Sequence, residues 1–102
     1  KAKALPIDNI KNIIEVVDYT NLFFVTPNPT GGLINIIWDK EIISALHQIH
    51  IVPFNGSNSL KVKFKMEEYK TTYDLTSYPK GIYFIEFILK DGQKIAKKII
   101  KL

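Results

Sequence analysis

The chain has 102 residues, of which 46% are apolar, so it is long enough to bury one hydrophobic core and too apolar to remain unfolded. It contains no cysteine, which excludes a disulfide framework and thiolate chemistry. Its net charge is +4, and every basic residue is a lysine. Because proteins that bind nucleic acids rely on the arginine fork, we expect no nucleic-acid partner. No run of about 18 apolar residues occurs, so no transmembrane helix is predicted.

Residues 1–20 combine two patterns. Some of their apolar residues have helical spacing, yet the run 13–17 is β-branched except for one Glu, which favours a strand. We predict an extended linker up to about Asn12, then a strand, and a compact domain over residues 21–102. Because the chain begins at Lys1 without a signal peptide, we interpret it as the C-terminal part of a larger protein.

The rest of the chain has the composition and punctuation of short strands. Ile, Val, Thr, Tyr and Phe dominate, and Gly, Pro and Asn separate the apolar runs. This pattern predicts an all-β fold, an immunoglobulin-like antiparallel β-sandwich of about seven strands, with a small barrel as the alternative. The predicted strands are residues 22–25, 33–38, 48–54, 60–66, 70–75, 81–89 and 94–102.

The last two strands are predicted to form a hairpin. Asp91-Gly92 between strand-like runs is a strong signal for a type I′ turn. In the final strand the adjacent Lys97 and Lys98 interrupt the alternation of apolar and polar residues, which predicts a bulge or a kink there.

Two turn motifs stand about 50 residues apart. The first is Pro27-Asn28-Pro29-Thr30-Gly31-Gly32, in which each Pro fixes its own φ and the Gly pair permits a tight reversal. The second is Tyr78-Pro79-Lys80-Gly81, followed by Tyr83, where Pro at the second position and Gly at the fourth predict a type I turn. Each motif alone predicts only a connection between strands.

Together with the end of the chain, Lys97-Lys98-Ile99-Ile100-Lys101-Leu102, these motifs resemble the type A C-terminal sorting domain of the type IX (Por) secretion system of Bacteroidota. The resemblance covers roughly residues 22–102. Members of that family look like Pro-Asn-Pro-Thr-x-Gly early and Leu-x-x-Leu-Pro-x-Gly-x-Tyr late, then an Asp-Gly hairpin and a basic, apolar terminus. This chain departs from the pattern at Tyr78, at Thr26 and in the middle strand.

The resemblance implies a secretion signal without catalytic activity, cofactor or metal. It implies that a cargo fused at the N-terminus crosses the periplasm, engages the outer-membrane translocon and its β-barrel shuttle protein, and becomes secreted or surface-located after a sortase-like peptidase removes the domain. We expect cleavage within residues 1–20. The residues expected to matter for recognition are Pro79, Gly81, Tyr83, Lys97, Lys98, Ile99, Ile100, Lys101 and Leu102. The structural motif residues are Pro27, Asn28, Pro29, Thr30, Gly32, Asp91 and Gly92.

Other functions remain open at this level. An immunoglobulin-like module that binds carbohydrate or protein outside the cell is the alternative, with Trp38, Tyr69 and Tyr73 as a sugar platform. His47 and His50 point to opposite faces of a strand and no cysteine or carboxylate cluster joins them, so no metal site is predicted. A dimer made by exchange of an edge strand is compatible with the sequence.

Overall fold

The computed structural model describes residues 19–42 and 44–102. The predicted linker and the strand that follows it lie almost entirely outside the described residues, and residues 20–22 form a short 3-10 turn. The strands are β1 Phe23–Thr26, β2 Leu33–Trp38, β3 Leu46–Pro53, β4 Leu60–Val62, β5 Lys70–Asp74, β6 Gly81–Leu89 and β7 Lys94–Lys101. Two further 3-10 turns span Lys40–Ile42 and Met66–Glu68. In this part of the chain, no helix has the length and apolar character needed to cross a bilayer.

The strands form two antiparallel sheets, with the orders β1-β2-β5 and β4-β3-β6-β7. The prediction of an all-β sandwich of about seven strands is therefore confirmed, and the barrel alternative is wrong because the two sheets do not close on each other. In the four-stranded sheet, β4 and β7 are the edges.

Alternating residues from both sheets fill the space between them. Along β6, Tyr83, Ile85, Phe87 and Leu89 are buried, as their period of two predicts. The rings of Phe23 and Phe87 stack across the sandwich with centroids 4.1 Å apart, which joins the two layers. The remaining buried apolar residues are Ile34, Ile36, Trp38, Ile42, Leu46, Ile49, Ile51, Val62, Leu75, Ile95 and Ile99.

The strand predicted over residues 60–66 is shorter than its alternation suggests, since β4 ends at Val62. The chain there leaves the four-stranded sheet and crosses to β5 in the other one. Phe64 packs edge-on against Trp38, with ring centroids 5.4 Å apart, and the Thr71 hydroxyl donates to the Lys63 carbonyl. Packing on the second sheet therefore overrides the local period.

The bulge predicted at Lys97 and Lys98 is wrong. The register between β6 and β7 is continuous from Gly81–Lys101 to Ile88–Lys94. Lys97 occupies an inward position opposite Ile85 and is half-buried, because an edge strand lets a long side chain reach solvent.

The β6–β7 hairpin is confirmed, but its turn is not type I′, which needs positive φ at two successive residues. Within the turn, residues 90–93, only Gly92 has a positive φ, of 94°. The Gly92 N–H donates to the Leu89 carbonyl, and the Asp91 carboxylate accepts the Gln93 N–H at 3.0 Å. This local bonding gives a three-residue loop with glycine in the left-handed position.

Trp38 cannot belong to a sugar platform. Its side chain is 1% exposed, and its indole N–H donates to the Met66 carbonyl at 3.3 Å. It serves as a core residue whose polar group is satisfied inside the fold.

Candidate functional site

Three segments that are distant in the chain meet at one end of the sandwich. They are residues 27–32, which we call the cap loop, residues 75–81, which we call the tyrosine turn, and residues 97–102, which we call the terminal segment. The cap loop joins β1 to β2 in one sheet, whereas the terminal segment lies in β7 of the other. Both X-Pro bonds of the cap loop, before Pro27 and before Pro29, are cis.

The Asn28 side chain binds the backbone of β7 on the side away from β6. Its Oδ1 accepts the Ile100 N–H at 2.9 Å, and its Nδ2 donates to the Lys98 carbonyl at 3.1 Å. A carboxamide carries the same donor and acceptor as a peptide group. Asn28 thus takes the place of one residue of a neighbouring strand.

Thr30 continues this pairing one step further along β7. Its N–H donates to the Ile100 carbonyl, and its carbonyl accepts the Leu102 N–H, both at 2.9 Å. Its hydroxyl donates to the Leu33 carbonyl and accepts the Gly32 N–H. Thr30 is 1% exposed. This buried polar residue therefore has all its groups satisfied, as a buried threonine requires.

Gly32 brings the cap loop against the tyrosine turn. Its carbonyl accepts the Leu75 N–H at 2.8 Å, and Leu75 is fully buried. A Cβ on Gly32 would lie 2.2 Å from the Thr76 hydroxyl oxygen and 2.9 Å from the Thr76 Cα. Glycine is required here because two backbones approach closely.

Lys101 ties the terminal segment to the tyrosine turn. Its ammonium donates to the Tyr78 carbonyl at 2.9 Å and to the Thr76 carbonyl at 3.3 Å. The Thr76 hydroxyl and N–H both donate to the Asp74 carboxylate and lower its pKa, and the charge of Lys101 lowers it further. The Lys101 ammonium and the Asp74 carboxylate thus bind different groups of the same turn: the ammonium binds the Thr76 and Tyr78 carbonyls, and the carboxylate binds the Thr76 N–H and hydroxyl.

The tyrosine turn differs from its prediction. Its hydrogen-bonded reversal runs from Leu75 to Tyr78, with the Tyr78 N–H donating to the Leu75 carbonyl at 2.9 Å. Residues 78–81, where the type I turn was predicted, form a bend without the hydrogen bond from Gly81 to the Tyr78 carbonyl, which accepts Lys101. The reversal is shifted because Leu75 is anchored in the core.

Three tyrosines stabilise this end of the sandwich. The Tyr83 hydroxyl donates to the Pro79 carbonyl, and burial, followed by the nearby Tyr78, raises the pKa of Tyr83. The Tyr73 and Tyr78 hydroxyls are 3.3 Å apart, and this hydrogen bond, together with burial, raises the pKa of Tyr73 to about 12. Pro79 and Tyr83 therefore fix the path of the chain into β6.

The terminal segment presents only part of itself. Ile99 is fully buried and Lys101 is held by the tyrosine turn. Lys98, Ile100 and Leu102 have exposed side chains, with Leu102 69% exposed. Their backbone groups on the outer side of β7 are engaged by Asn28 and Thr30 at Lys98, Ile100 and Leu102. A partner can therefore reach the side chains of Lys98, Ile100 and Leu102, whereas the backbone groups of these residues are already bound.

The other half of β7 has an open edge. In an antiparallel ladder, alternate residues direct their backbone groups to opposite sides. Since Ile100 points its groups away from β6, Lys94 and Ala96 do so as well. Among the described strands, none pairs with β7 on that side.

Of the predicted site residues, the structure brings together those of the cap loop, the tyrosine turn and the terminal segment. Asp91 and Gly92 lie at the opposite end of the β6–β7 hairpin and take no part. Sequence reasoning missed the contribution of Thr76, whose carbonyl binds Lys101, and of Phe54, which lies on the outer face of the sheet. The available signal for Phe54 was its place directly after Pro53 and before the polar run of residues 55–59.

Residues 25–102, more than three quarters of the chain, match the family model described as secretion system C-terminal sorting domain. The match contains the cap loop, the tyrosine turn and the terminal segment. No match to a curated protein was found for this chain. The sandwich with its bound terminal strand is thus a sorting domain. The chain belongs to the C-terminal sorting domain family of the type IX secretion system, so it carries a sorting signal that the secretion machinery recognises.

Proposed function

We propose that this domain directs an N-terminally attached cargo protein across the outer membrane by the type IX system and is then cleaved from it. The observation that carries the proposal is the convergence of the cap loop and the tyrosine turn on the terminal segment. That arrangement holds Lys98, Ile100 and Leu102 in fixed positions on the surface, as a recognition element needs.

The proposed partners are the outer-membrane translocon, its β-barrel shuttle protein and a sortase-like peptidase. The domain passes through the periplasm in the folded state, and the cargo ends in the medium or at the cell surface in a Bacteroidota host. Cleavage falls within residues 1–20, before the sandwich.

The residues divide into a recognised group and a supporting group. Lys97 to Leu102 supply the recognised segment, while Pro79, Gly81 and Tyr83 fix the turn against which it packs. We propose no catalytic role for any of them, and this is supported by the use of their polar groups inside the fold, as for the Tyr83 hydroxyl and the Lys101 ammonium.

The test is export of a reporter in a Bacteroidota host. The reporter carries a Sec signal in front and this chain behind, in a strain with an intact type IX system and in one without it. Export of the reporter in the strain with an intact type IX system, and not in the strain without it, supports the proposal. If the reporter stays in the periplasm of both strains and the purified chain binds glycans, the sorting function is wrong and the binding-module function takes its place.

Loss of the whole terminal segment also removes the core residue Ile99, so a second variant is needed. Ile100→Thr keeps a β-branched residue at an exposed position and leaves the backbone bonds to Asn28 and Thr30 in place. If this variant folds with unchanged stability but its export falls, recognition of the segment is separated from its role in folding.

A further inference from the structure

The outer face of the four-stranded sheet has an apolar half next to the cap loop. Val52 lies opposite Phe84, and Ile82 lies opposite Ile100. The Phe54 N–H donates to the Ile82 carbonyl at 3.0 Å, and its ring centroid is 6.2 Å from that of Phe84. We call these residues, with the one that follows β7, the outer apolar patch. Its members are Val52, Phe54, Ile82, Phe84, Ile100 and Leu102.

The outer apolar patch is contiguous, and four of its six members are exposed. Phe54 is 69% exposed, and Ile82 and Ile100, which are cross-strand neighbours, are 36% and 38% exposed. By contrast, the exposed Phe24 and Leu33 of the other sheet are not cross-strand neighbours of each other. Phe24 lies opposite Ile37, and Leu33 lies opposite Asp74. Single exposed apolar residues are normal, whereas a contiguous group indicates an interaction surface.

The backbone arrangement favours this face over the edge of the terminal segment. A partner that added a strand at residues 98–102 would have to displace Asn28 and Thr30, which already hold those backbone groups. The side chains of Ile100 and Leu102 need no such displacement.

A shallow apolar groove borders the outer apolar patch. Pro53, Phe54, Lys80, Gly81 and Ile82 line it. A Cβ on Gly81 would meet no atom within 4 Å, so the space above this glycine is open. The groove can accept one apolar side chain of a partner, which suits a protein surface better than a fluid lipid surface.

The charges around the outer apolar patch are cationic. Lys98 lies opposite Phe84 on the same face, and Lys80 lines the groove. The carboxylate on this face is Glu86, which lies beyond Phe84 and opposite His50. A complementary surface would be apolar with carboxylates at its border.

We infer that the outer apolar patch is the docking surface of this domain for a protein of the secretion machinery, through an apolar site bordered by carboxylates. The inference rests on the proposed function and adds to it residues from β3 and β6, outside the terminal segment. One apolar side chain of that protein enters the groove beside Phe54 and Gly81.

The test compares Phe54→Ser with Phe24→Ser in the reporter export assay. Both positions hold an exposed phenylalanine, at 69% and 50%, on the outer faces of different sheets. We expect Phe54→Ser to lower the exported fraction by about tenfold, because an aromatic anchor in an interface carries much of its binding energy. Phe24→Ser should export within about twofold of the unmodified chain. Urea unfolding of both purified variants checks that their stabilities match.

The charge component is tested by Lys98→Glu and Lys94→Glu. Both lysines are exposed on the same face of β7, but only Lys98 borders the outer apolar patch. Lys98→Glu should reduce export several-fold, and Lys94→Glu should change it little.

Equal export of Phe54→Ser and Phe24→Ser, with Ile100→Thr impaired, would overturn the inference and leave the proposed function standing. If the unmodified chain exports no reporter, both are overturned. Binding of the purified chain to anionic lipid vesicles that Phe54→Ser abolishes would assign the patch to a membrane. A dimer that Phe54→Ser converts to a monomer would assign it to a second copy.

Discussion

Asn28 and Ile100, which lie 72 residues apart in the chain, are joined by a hydrogen bond of 2.9 Å from the Ile100 N–H to the Asn28 Oδ1. With the second bond to Lys98, this side chain covers part of an edge strand that would otherwise be open. The relationship explains how an asparagine between two prolines, near the start of the domain, helps to hold the last strand of the domain.

Asn28→Ala should destabilise the domain by about 1–2 kcal/mol, because two backbone groups lose their partner. In native-state hydrogen exchange, the Ile100 amide should exchange faster, whereas the amide of the buried Ile99 should change less. Asn58→Ala is the control, since Asn58 is exposed in a loop. Equal protection of Ile100 in both variants would contradict the capping role of Asn28.

Gly32→Ala should destabilise the domain by about 3 kcal/mol, because the added Cβ would overlap both the side chain and the backbone of Thr76. Gly31→Ala is the matched control, since a Cβ at Gly31 meets nothing within 4 Å. Urea unfolding of the two variants gives the comparison. Similar midpoints for the two would show that the cap loop does not pack closely on the tyrosine turn.

Lys101→Met should cost about 1–2 kcal/mol, because the Thr76 and Tyr78 carbonyls lose a charged donor while the aliphatic part of the side chain is kept. Lys98→Met removes an exposed ammonium from the same strand and should leave the free energy of unfolding nearly unchanged. Thermal unfolding of both variants distinguishes them. A larger loss for Lys98→Met would contradict the contacts assigned to Lys101.

The hydrogen bond to Tyr78 predicts a change of stability at alkaline pH. Together with burial, this bond raises the pKa of Tyr73 from 10.0 to about 12 in the folded chain. The folded state therefore holds this proton more tightly than the unfolded state, so the contribution is complete below pH 10.0 and is lost as the pH rises through about 12. Tyr73→Phe should show a smaller loss of stability over this interval, whereas Tyr69→Phe, at an exposed position, should follow the unmodified chain.

The open half of β7 bears on self-association. An antiparallel pairing of two copies centred on Ala96 would place Lys94 of one copy opposite Lys98 of the other, and like charges in such pairs are destabilising. The pairing would also have to displace Asn28 from the Lys98 carbonyl. We expect the chain to sediment as a monomer and the triple variant Asn28→Ala, Lys94→Thr, Lys98→Thr to associate. A dimer of the unmodified chain that forms through this edge would contradict the guarding role of these lysines.

Strands with a clear period of two were predictable from the sequence. The bounds of β2 and β6 were predicted to the residue, because their alternation agrees with burial on one face. The early end of β4 was not predictable, since the crossing to the other sheet depends on the packing of Phe64 against Trp38. The turn at Asp91 was placed correctly but assigned the wrong geometry, because the bonding of its carboxylate to Gln93 decides the local conformation.

The candidate site was predictable as a set of motifs but not as an arrangement. Pro29, Pro79 and the terminal lysines mark their segments without indicating that these meet. The contacts of Asn28 with β7 and of Lys101 with the tyrosine turn join residues far apart in the chain, and such pairs leave no periodic signal in a single sequence.

The bonds of Thr30 to Ile100 and Leu102 also set an order of events during synthesis. The cap loop is made early, but its partners are translated some 70 residues later, after all the other strands. A chain that is truncated before residue 98 leaves Asn28 and Thr30 without these partners and removes the second half of β7 from the edge of β6. The folded shape of the sorting signal thus depends on residues 98–102, so a chain that stops before them lacks the arrangement that joins its first loop to its last strand.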